Sequence, residues 1–351
     1  MRKLKIGYWP LSQTLNSAGD RRRLVFWAKA RGHVIVTDLS KTVDVIVASE
    51  NSDFNSPFLN QKNIPIIFDL VDAYLSPLNP FDDFARGLAK RLSRQISGHI
   101  KPFSHHVRDF CMVSSAVICS SIEQAEVIKV HNLNTHVILD SHDEIPMLDP
   151  LRPNSRIFHK PRILWEGQPA TLRGVRNISS ALSELSGIRE IHLDFVTDEK
   201  YFQILNKYFR RDTLELLKRN LGQLKEVVNI IPWTPENLVE CAKSSTVAII
   251  PITLSVPMQR LKPENRLLIM WRLGLPCLTS SSPSYVRVAR QAGVDAICEG
   301  PEDWVSKCKE LLNNPSFAYQ EALRGQSYLS EMHNRNTLLL KWDRAIESVI
   351  K

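Results

Sequence analysis

Residues 247–280 read VAIIPITLSVPMQRLKPENRLLIMWRLGLPCLTS, and this stretch decides the fold class. Val247 to Pro251 and Pro276 to Ser280 are short, mainly apolar runs, which are typical of buried strands. Between them, Asn265 to Leu273 has the length and composition of a helix. A strand, a helix and a second strand in this order predict two parallel strands joined by a covering helix.

The same alternation runs through the N-terminal part of the chain. It predicts strands at Lys5 to Tyr8, Val34 to Asp38, Val43 to Ala48, Pro65 to Phe68, Ala116 to Ser120 and Thr135 to Asp140. It predicts helices at Arg21 to Arg31, Phe81 to Ser97 and Ile122 to His131. Strands and helices in alternation indicate a parallel sheet that is covered on both faces.

A second alternating series includes the opening stretch. Its other strands are predicted at Arg162 to Trp165, Ile191 to Val196, Val227 to Ile231 and Ala296 to Glu299. Its other helices are predicted at Asn177 to Leu185, Glu199 to Tyr208, Pro235 to Ala242 and Pro301 to Leu312, with a last amphipathic stretch at Thr337 to Ile350.

Between the two series, Ile145 to Pro161 carries four prolines and no sustained periodicity, which favours a domain linker. We therefore expect an N-terminal domain at 1–150, a linker at 151–161 and a C-terminal domain at 162–330. A C-terminal helix at 331–351 either stays there or crosses back to the first domain. The predicted fold class is α/β, with two Rossmann-like doubly wound domains that face each other across a cleft where ligands bind.

Composition narrows the class of protein. The chain has 351 residues, 43% of them hydrophobic, and a net charge of +8, which favours anionic partners. The six cysteines form no Cys-x-x-Cys pair, so buried reduced thiols are expected. Neither a signal peptide nor a membrane-spanning apolar stretch is indicated, and the expected location is cytoplasmic.

Several familiar motifs are missing from the sequence. The turn from Gly7 to Asp20 lacks the Gly-x-Gly-x-x-Gly spacing of dinucleotide-binding proteins, and no P-loop or Gly-x-Ser-x-Gly elbow occurs. No Cys/His quartet, His-Glu-x-x-His or Asp-x-Asp triplet is present, so no metal and no cofactor are expected.

Lys262-Pro263-Glu264-Asn265-Arg266, with the apolar helix and Gly274-Leu275-Pro276 after it, resembles the donor-site helix of GT-B glycosyltransferases. The residue chemistry fits that resemblance, because cations and an amide at a helix N-terminus suit a diphosphate. Lys262, Asn265 and Arg266 are therefore donor-site candidates, with a solvated charged face as the other interpretation.

Two further segments are similar to the same family. In Trp165-Glu166-Gly167, Gly167 ends a strand and Arg173 takes the basic position six residues later, although Gln168 stands where the family often has arginine. Trp233 and Thr234 resemble the turn beside the nucleotide base, unless Trp233 simply packs in the core.

One position departs from the family in a way that concerns the ribose. Ile269 replaces the glutamate that holds the ribose hydroxyls in retaining members, so either Glu264 serves or ribose recognition differs.

The N-terminal half contains the candidate catalytic residues. Asp69 and Asp72 follow a strand, and the resemblance implies that one of them is a base for the acceptor hydroxyl, with a capping or turn role as the alternative. His142 lies where the family turns towards the donor, or is a solvated loop residue. The loop with Gly19 and Arg21 resembles the family's first turn, which approaches the sugar and phosphate.

From Arg86 to Arg108 the sequence has six basic residues and no acidic residue before Asp109. An apolar stripe at helical spacing accompanies them, so this segment suits either an anionic membrane surface or packing on the sheet with a solvated basic face. The candidate membrane and acceptor residues are Arg86, Lys90, Arg91, Arg94 and Lys101. Motifs for nucleic acid are missing, and none is expected as a partner.

The resemblance implies a metal-independent glycosyltransferase that moves a sugar from a nucleotide-sugar, its co-substrate, to a hydroxyl of a glycan or lipid-linked acceptor. Surface polysaccharide assembly at the inner face of the cytoplasmic membrane is the expected setting. Two alternatives stay open: a sugar-nucleotide epimerase of the same fold, and an inactive GT-B domain that serves as an adaptor.

Overall fold

The computed structural model describes residues 2–60, 64–77, 79–155, 159–188, 190–202, 210–221, 224 and 227–350. The chain forms two compact units. The first unit comprises Met1–Asp143, Val256–Pro263 and Asn334–Lys351, and the second comprises Glu144–Ser255 and Glu264–His333. The C-terminal helix therefore groups with the N-terminal residues, and so does a short segment that interrupts the second unit.

A six-stranded parallel sheet forms the centre of the first unit. Its strands follow the order β2-β1-β3-β4-β5-β6. They are β1 (Lys5–Trp9), β2 (Val34–Val36), β3 (Val45–Ser49), β4 (Ile66–Leu70), β5 (Ala116–Cys119) and β6 (Thr135–Val137).

Helices cover both faces of this sheet. The helices of this unit are α1 (Ala18–Arg21), α2 (Leu24–Arg31), α3 (Pro80–Leu92), α4 (Phe103–Val113), α5 (Ile122–Lys129), α10 (Pro257–Arg260) and α15 (Arg335–Glu347). Helices α2 and α15 lie on one face, and α4 and α5 lie on the other. The central strand β3 shows why both faces are apolar: Val45 and Val47 join one buried cluster, while Ile46 and Ala48 join another. On one face Trp342 of α15 stacks on Trp27 of α2, with ring centroids 5.9 Å apart.

The second unit has its own six-stranded parallel sheet, in the order β11-β8-β7-β12-β13-β14. Its strands are β7 (Arg162–Glu166), β8 (His192–Thr197), β11 (Val228–Pro232), β12 (Val247–Ile250), β13 (Cys277–Ser280) and β14 (Ile297–Cys298). A separate antiparallel pair is formed by β9 (Lys200–Phe202) and β10 (Arg210–Asp212).

The helices of the second unit follow the strands in sequence. They are α6 (Leu172–Asn177), α7 (Ser179–Ile188), α8 (Thr213–Leu221), α9 (Pro235–Ser244), α11 (Asn265–Arg272), α12 (Pro283–Ala292), α13 (Pro301–Asn313) and α14 (Pro315–Met332). Two parallel six-stranded sheets with helices on their faces confirm the predicted α/β, Rossmann-like architecture.

The predicted helix at Glu199 to Tyr208 is wrong where the structure describes it. Residues Lys200–Phe202 form β9, which pairs with β10 through Phe202 and Arg210, and residues 203–209 lie outside the described part of the chain. Cross-strand pairing overrides the local preference there, because strand propensity depends on the partner strand. The sequence analysis also missed α4, α6, α8, α10, α12 and α14. The thiol prediction is confirmed, since all six cysteines are buried and unpaired.

Candidate functional site

The strand order of the second unit reverses at β7, which has β8 on one side and β12 on the other. In open α/β sheets, ligands bind beyond the carboxyl ends of the strands at this kind of reversal. Glu166 is the last residue of β7 and Gly167 follows it. The candidate site is therefore built around this turn.

Arg266, in the first turn of α11, reaches the end of β7. Its Nη2 donates a hydrogen bond to the backbone oxygen of Glu166, and its Nε lies 3.5 Å from Glu166 Oε2. The guanidinium also stands over the ring of Trp165, with Cζ 5.4 Å from the centroid. The sequence offered Arg266 as a phosphate ligand, and the structure places it at the strand reversal beside a carboxylate that the sequence analysis had not selected.

Gly167 leaves the space that Arg266 uses. A Cβ built at Gly167 would lie 3.1 Å from Arg266 Nη2 and 2.9 Å from Thr171 Oγ1. Gly174 plays a similar part in α6, where a Cβ would collide with the carbonyl of Pro251 just beyond β12. Helix α6 is therefore packed against the carboxyl edge of the sheet. It carries Arg173, which precedes Gly174 and is exposed.

Trp233 and Thr234 follow β11 at the same edge. The Trp233 indole N–H donates to Glu166 Oε1 at 2.9 Å, and its backbone N–H donates to the carbonyl of Thr197 at 3.1 Å. Thr234 caps α9, because its hydroxyl accepts the backbone N–H of Asn237 at 3.0 Å. Whether either residue contacts a nucleobase stays a prediction.

Glu264 and Asn265 begin α11. Glu264 is buried, with 3% of its surface exposed, and its carboxylate lies 3.3 Å from Arg287 Nη2 of α12. The sequence did not indicate Arg287, because the helix that carries it, α12, was not predicted. A contact between Glu264 and a ribose stays a prediction. The Glu264 carboxylate already has Arg287 beside it.

Lys262 belongs to the first unit, whereas Arg266 belongs to the second. The segment with Lys262 is attached there by three contacts. Lys262 Nζ lies 3.6 Å from Asp72 Oδ1, Ser121 Oγ donates to the carbonyl of Leu261 at 3.1 Å, and Arg86 Nη1 is 3.2 Å from Met258 Sδ. The structure thus brings together Lys262 and Asp72, for which the sequence had indicated different roles.

The Asp69 carboxylate forms a buried ion pair with Arg23. Both of its carboxylate oxygens accept the Nε–H of Arg23, at 3.1 and 3.0 Å, and Oδ1 also accepts from Nη2 at 2.5 Å. The side chain of Arg23 is 0% exposed and that of Asp69 is 3% exposed. Asp72 is only half-buried and lies beyond the end of β4, so it is the more accessible of the two predicted bases.

A third carboxylate lies beside Asp72. Glu50 follows β3, is 8% exposed, and its Oε2 accepts the backbone N–H of Asp72 at 3.1 Å. Burial and the charge of Asp72 raise the pKa of Glu50 to about 8, while burial lowers the pKa of nearby Lys90 to about 8. Groups shifted in this way gather at functional sites, and Glu50 gave no motif by which the sequence could reveal it.

The loop after β1 is organised by Asp20, which lies between the predicted residues Gly19 and Arg21. The buried Asp20 carboxylate accepts from Tyr8 Oη at 2.6 Å and from the backbone N–H groups of Leu11 and Ser12 at 2.8 and 2.9 Å. Arg21 donates to the carbonyl of Asn16 at 2.7 Å. The loop is therefore fixed by a residue that the sequence analysis did not select.

His142 is buried, with 3% of its surface exposed, and follows β6. It is therefore not the solvated loop residue that was left open as an alternative. The neighbouring Asp143 forms an ion pair with Arg335 at the start of α15. A catalytic role for His142 stays a prediction.

The basic segment has one exposed face and one packed face. On the exposed face of α3, Phe81 is 79% and Leu92 71% exposed, and Arg91 is exposed as well. Arg86 instead stands over the Tyr74 ring, with Cζ 5.1 Å from its centroid. On the packed side, Lys90 Nζ lies 4.5 Å from the ring centroid of Phe103. The remaining basic candidates differ in their surroundings: Arg94 is exposed, and Lys101 pairs with Asp109 at 2.6 Å.

The first unit also contains a cavity of about 420 Å³ at the carboxyl edge of its sheet. Aromatic side chains of Trp9 and Phe58 line it, together with polar groups of Gln13, Asp38 and Ser40. Hydrogen bonds from Ser40 lower the pKa of the Asp38 carboxyl. The volume lies within the range of small-molecule sites.

Among the described residues, no group of three or more His, Cys, Asp or Glu side chains is arranged to hold a metal ion. Within the same part of the chain, no helix has the length and apolar character needed to cross a bilayer.

The architecture and the strand-reversal site define a two-domain α/β protein with the GT-B fold of glycosyltransferases, as the sequence predicted. The chain superposes on TarM with a TM-score of 0.60 at 12% identity, covering 86% of this chain and 54% of TarM. The chain thus spans about half the length of TarM. A second matching structure is a variant of S. aureus TarM in complex with fondaparinux, α-GlcNAc-glycerol and UDP.

Two other solved structures match over almost their whole length. WaaG, a glycosyltransferase involved in lipopolysaccharide biosynthesis, has a TM-score of 0.54 at 12% identity, covering 97% of this chain and 98% of WaaG. A glycosyltransferase from Rickettsia africae ESF-5 has a TM-score of 0.57 at 13% identity, with 99% of each chain covered. At these identities the likeness concerns the fold. No family model matches the sequence, and no curated protein matches it at the sequence level.

Proposed function

We propose that this protein is a metal-independent glycosyltransferase that moves a sugar from a nucleotide-sugar donor to a hydroxyl of a glycan or glycolipid. The observation that carries the proposal is Arg266, which lies beside Gly167 at the strand reversal of the second unit. A GT-B fold with a cation and a close-approach glycine at this edge suits a nucleoside diphosphate leaving group. Surface polysaccharide assembly is proposed from the likeness to WaaG.

In this mechanism, Arg173 and Arg266 would stabilise the negative charge that develops on the departing diphosphate. Asp72 would accept the proton of the acceptor hydroxyl if the mechanism is inverting, because the Asp69 carboxylate is already paired with Arg23. Lys262, whose Nζ lies 3.6 Å from Asp72 Oδ1, would orient that carboxylate. The cavity lined by Trp9 and Phe58 is the proposed place for part of the acceptor.

Arg266→Ala tests the donor site directly. We expect the affinity for the preferred nucleoside diphosphate to fall by about 10- to 100-fold, which corresponds to the roughly 1.5–3 kcal/mol of a charged hydrogen bond. Isothermal titration calorimetry with UDP, GDP, ADP and CMP measures this loss.

The matched control is Arg290→Ala, which removes an exposed arginine from α12. It should leave the affinity unchanged. If wild-type protein binds none of the nucleotides, or if Arg266→Ala binds as tightly as wild type, the proposed donor site is wrong.

The exposed face of α3 is the proposed contact with an anionic membrane, at the inner face of the cytoplasmic membrane. Apolar side chains and cations together favour such a surface, at about 1 kcal/mol for each cation near the headgroups. Combined Phe81→Ala and Arg91→Ala substitutions should lower binding to phosphatidylglycerol-containing vesicles by about tenfold in a flotation assay.

Leu133→Ala, which removes an exposed apolar residue outside α3, is the control for this assay. If the control and the α3 variant lose binding equally, or if wild-type protein does not float with the vesicles, the membrane contact is refuted.

A further inference from the structure

Glu166 occupies the position at which an anionic ligand would be expected. It is the final residue of β7, at the strand reversal, and its side chain is 11% exposed. Its Oε1 accepts the indole N–H of Trp233 at 2.9 Å, which fixes the carboxylate in place. The principal cation of the proposed donor site therefore has a resident anion beside it.

The pair that Glu166 forms with Arg266 is incomplete. Glu166 Oε2 and Arg266 Nε are 3.5 Å apart, both are buried, and neither has a hydrogen-bond partner among the described residues. Charges that are buried without their full set of hydrogen bonds retain much of the cost of desolvation. A ligand that offers oxygen acceptors to Arg266 would therefore find unused hydrogen-bonding capacity there.

Glu166 can release Arg266 without losing every partner. The bond from Trp233 to Oε1 does not involve Arg266, and Gly167 next to it has no side chain to restrict the guanidinium. The arginine would thus change partner by a side-chain movement alone. The cost of that exchange is set by the charge of the carboxylate.

We propose that Glu166 is an affinity-limiting residue, a built-in competitor for Arg266 that weakens the binding of a diphosphate and so favours release of the nucleotide product. This inference rests on the proposed function. A diphosphate that binds Arg266 must displace the Glu166 carboxylate, and it is also repelled by that carboxylate, because the bond from Trp233 keeps it close. The affinity of the site is then set by a repulsive element as well as by the attractive arginine.

Glu166→Gln tests the inference, because the amide can still accept the Trp233 N–H but carries no charge. Calorimetry at fixed ionic strength would use the full chain with UDP, GDP, ADP, the matching monophosphates and inorganic pyrophosphate. We expect Glu166→Gln to bind the preferred diphosphate and pyrophosphate about tenfold more tightly than wild type. The gain for the matching monophosphate should be no larger, because repulsion by a carboxylate grows with the negative charge of the ligand.

A double-mutant cycle separates this role from a general charge effect. In an Arg266→Ala background, the gain from Glu166→Gln should fall to about twofold or less, since no arginine is left to release. Glu321→Gln is the matched control: this buried carboxylate of the second unit pairs with Arg324 at 2.6 Å and should not affect nucleotide binding.

If Glu166→Gln is poorly folded by circular dichroism, Glu166→Asp replaces it, because it withdraws the carboxylate by one methylene and should give a smaller gain. A wild type that binds diphosphate, with no gain in either variant or with the same gain in the Arg266→Ala background, overturns this inference alone. Failure of every protein to bind any of these ligands overturns the proposed function together with it.

Discussion

Two arginine–carboxylate pairs, one in each unit, differ in how completely their hydrogen bonds are made. Arg23 uses Nε and Nη2 for Asp69, and its Nη1 donates to the carbonyl of Ile138 at 2.7 Å. Arg266 contacts Glu166 mainly through the backbone oxygen, and its Nε has no hydrogen-bond partner in the described structure. We therefore call the first pair closed and the second pair open, because Arg266 Nε and Glu166 Oε2 have no hydrogen-bond partner among the described residues.

Burial follows the same division. The side chains of Arg23 and Asp69 are 0% and 3% exposed, whereas those of Arg266 and Glu166 are 20% and 11% exposed. The same arginine–carboxylate chemistry is thus fully buried in the first unit and partly exposed at the proposed donor site of the second. What separates the two roles is the number of satisfied donors and acceptors, not the type of residue.

The largest expected effect comes from breaking the closed pair. Asp69→Asn leaves the buried Arg23 guanidinium short of negative charge, and breaking a pair of this kind costs about 3–5 kcal/mol. Urea denaturation of the variant measures this loss of free energy of unfolding.

Glu166→Gln is the corresponding change in the open pair, and it should cost about 1 kcal/mol or less, since the 3.5 Å contact is not a full hydrogen bond and the amide can still accept the Trp233 N–H. Equal losses in the two variants would remove the distinction between a closed and an open pair.

Glu50 extends the comparison to a third buried carboxylate. It accepts a hydrogen bond from a backbone N–H group rather than from a guanidinium. Its pKa rises from an ordinary 4.5 to about 8, mainly through burial. Between these values the folded state binds a proton that the unfolded state lacks. Stability should therefore fall as the pH rises from about 5 to about 8, by up to about 1.4 kcal/mol per pH unit.

Glu50→Gln stays neutral over this range, so its stability should vary less with pH than that of wild type. The urea midpoint at pH 5, 6.5 and 8 measures both slopes. Lys90, whose pKa is lowered to about 8, acts in the opposite direction above that pH, which confines the test to the lower window. Parallel slopes for the two proteins would contradict the assignment to Glu50.

The smallest effect on stability is expected from Gly167→Ala. The added Cβ would lie 3.1 Å from Arg266 Nη2, the movable end of a flexible side chain, so the free energy of unfolding should change by about 1 kcal/mol or less. The displaced guanidinium should nevertheless weaken diphosphate binding by about three- to tenfold in calorimetry.

Gly187→Ala is its control, since a Cβ at that position in α7 meets nothing within 4 Å. It should leave binding unchanged and stability unchanged or slightly higher. Unaltered binding in Gly167→Ala would show that the open pair tolerates crowding and is not the ligand contact.

The sequence predicted the strands well because each carries a local signal. All twelve predicted strands appear in the two parallel sheets, since buried parallel strands are continuous apolar runs bounded by turns. The helices were harder to predict. The missed helix α14 has a mixed sequence whose buried residues, such as Ala322 and Gly325, are small rather than strongly apolar.

The candidate site was predicted less completely for a different reason. Arg266 and Gly167 lie in recognisable segments, but Glu166 gained its importance only by contact with a residue 100 positions away. Arg23 and Asp69 are 46 positions apart, and nothing in either segment indicates a pair. Local patterns carry no information about which distant charges meet.

The sequence by itself determined the fold class, the parallel sheets and the cationic character of the segments near Arg173 and Arg266. Hydrophobic periodicity and composition decide these properties, and both are local. Only the tertiary structure decided which carboxylates are paired with an arginine and which arginine keeps a donor without a partner among the described residues. It also decided that Lys262 lies beside Asp72. Those outcomes depend on burial and on long-range contacts, because the energy of a charge depends on its surroundings more than on its own chemistry.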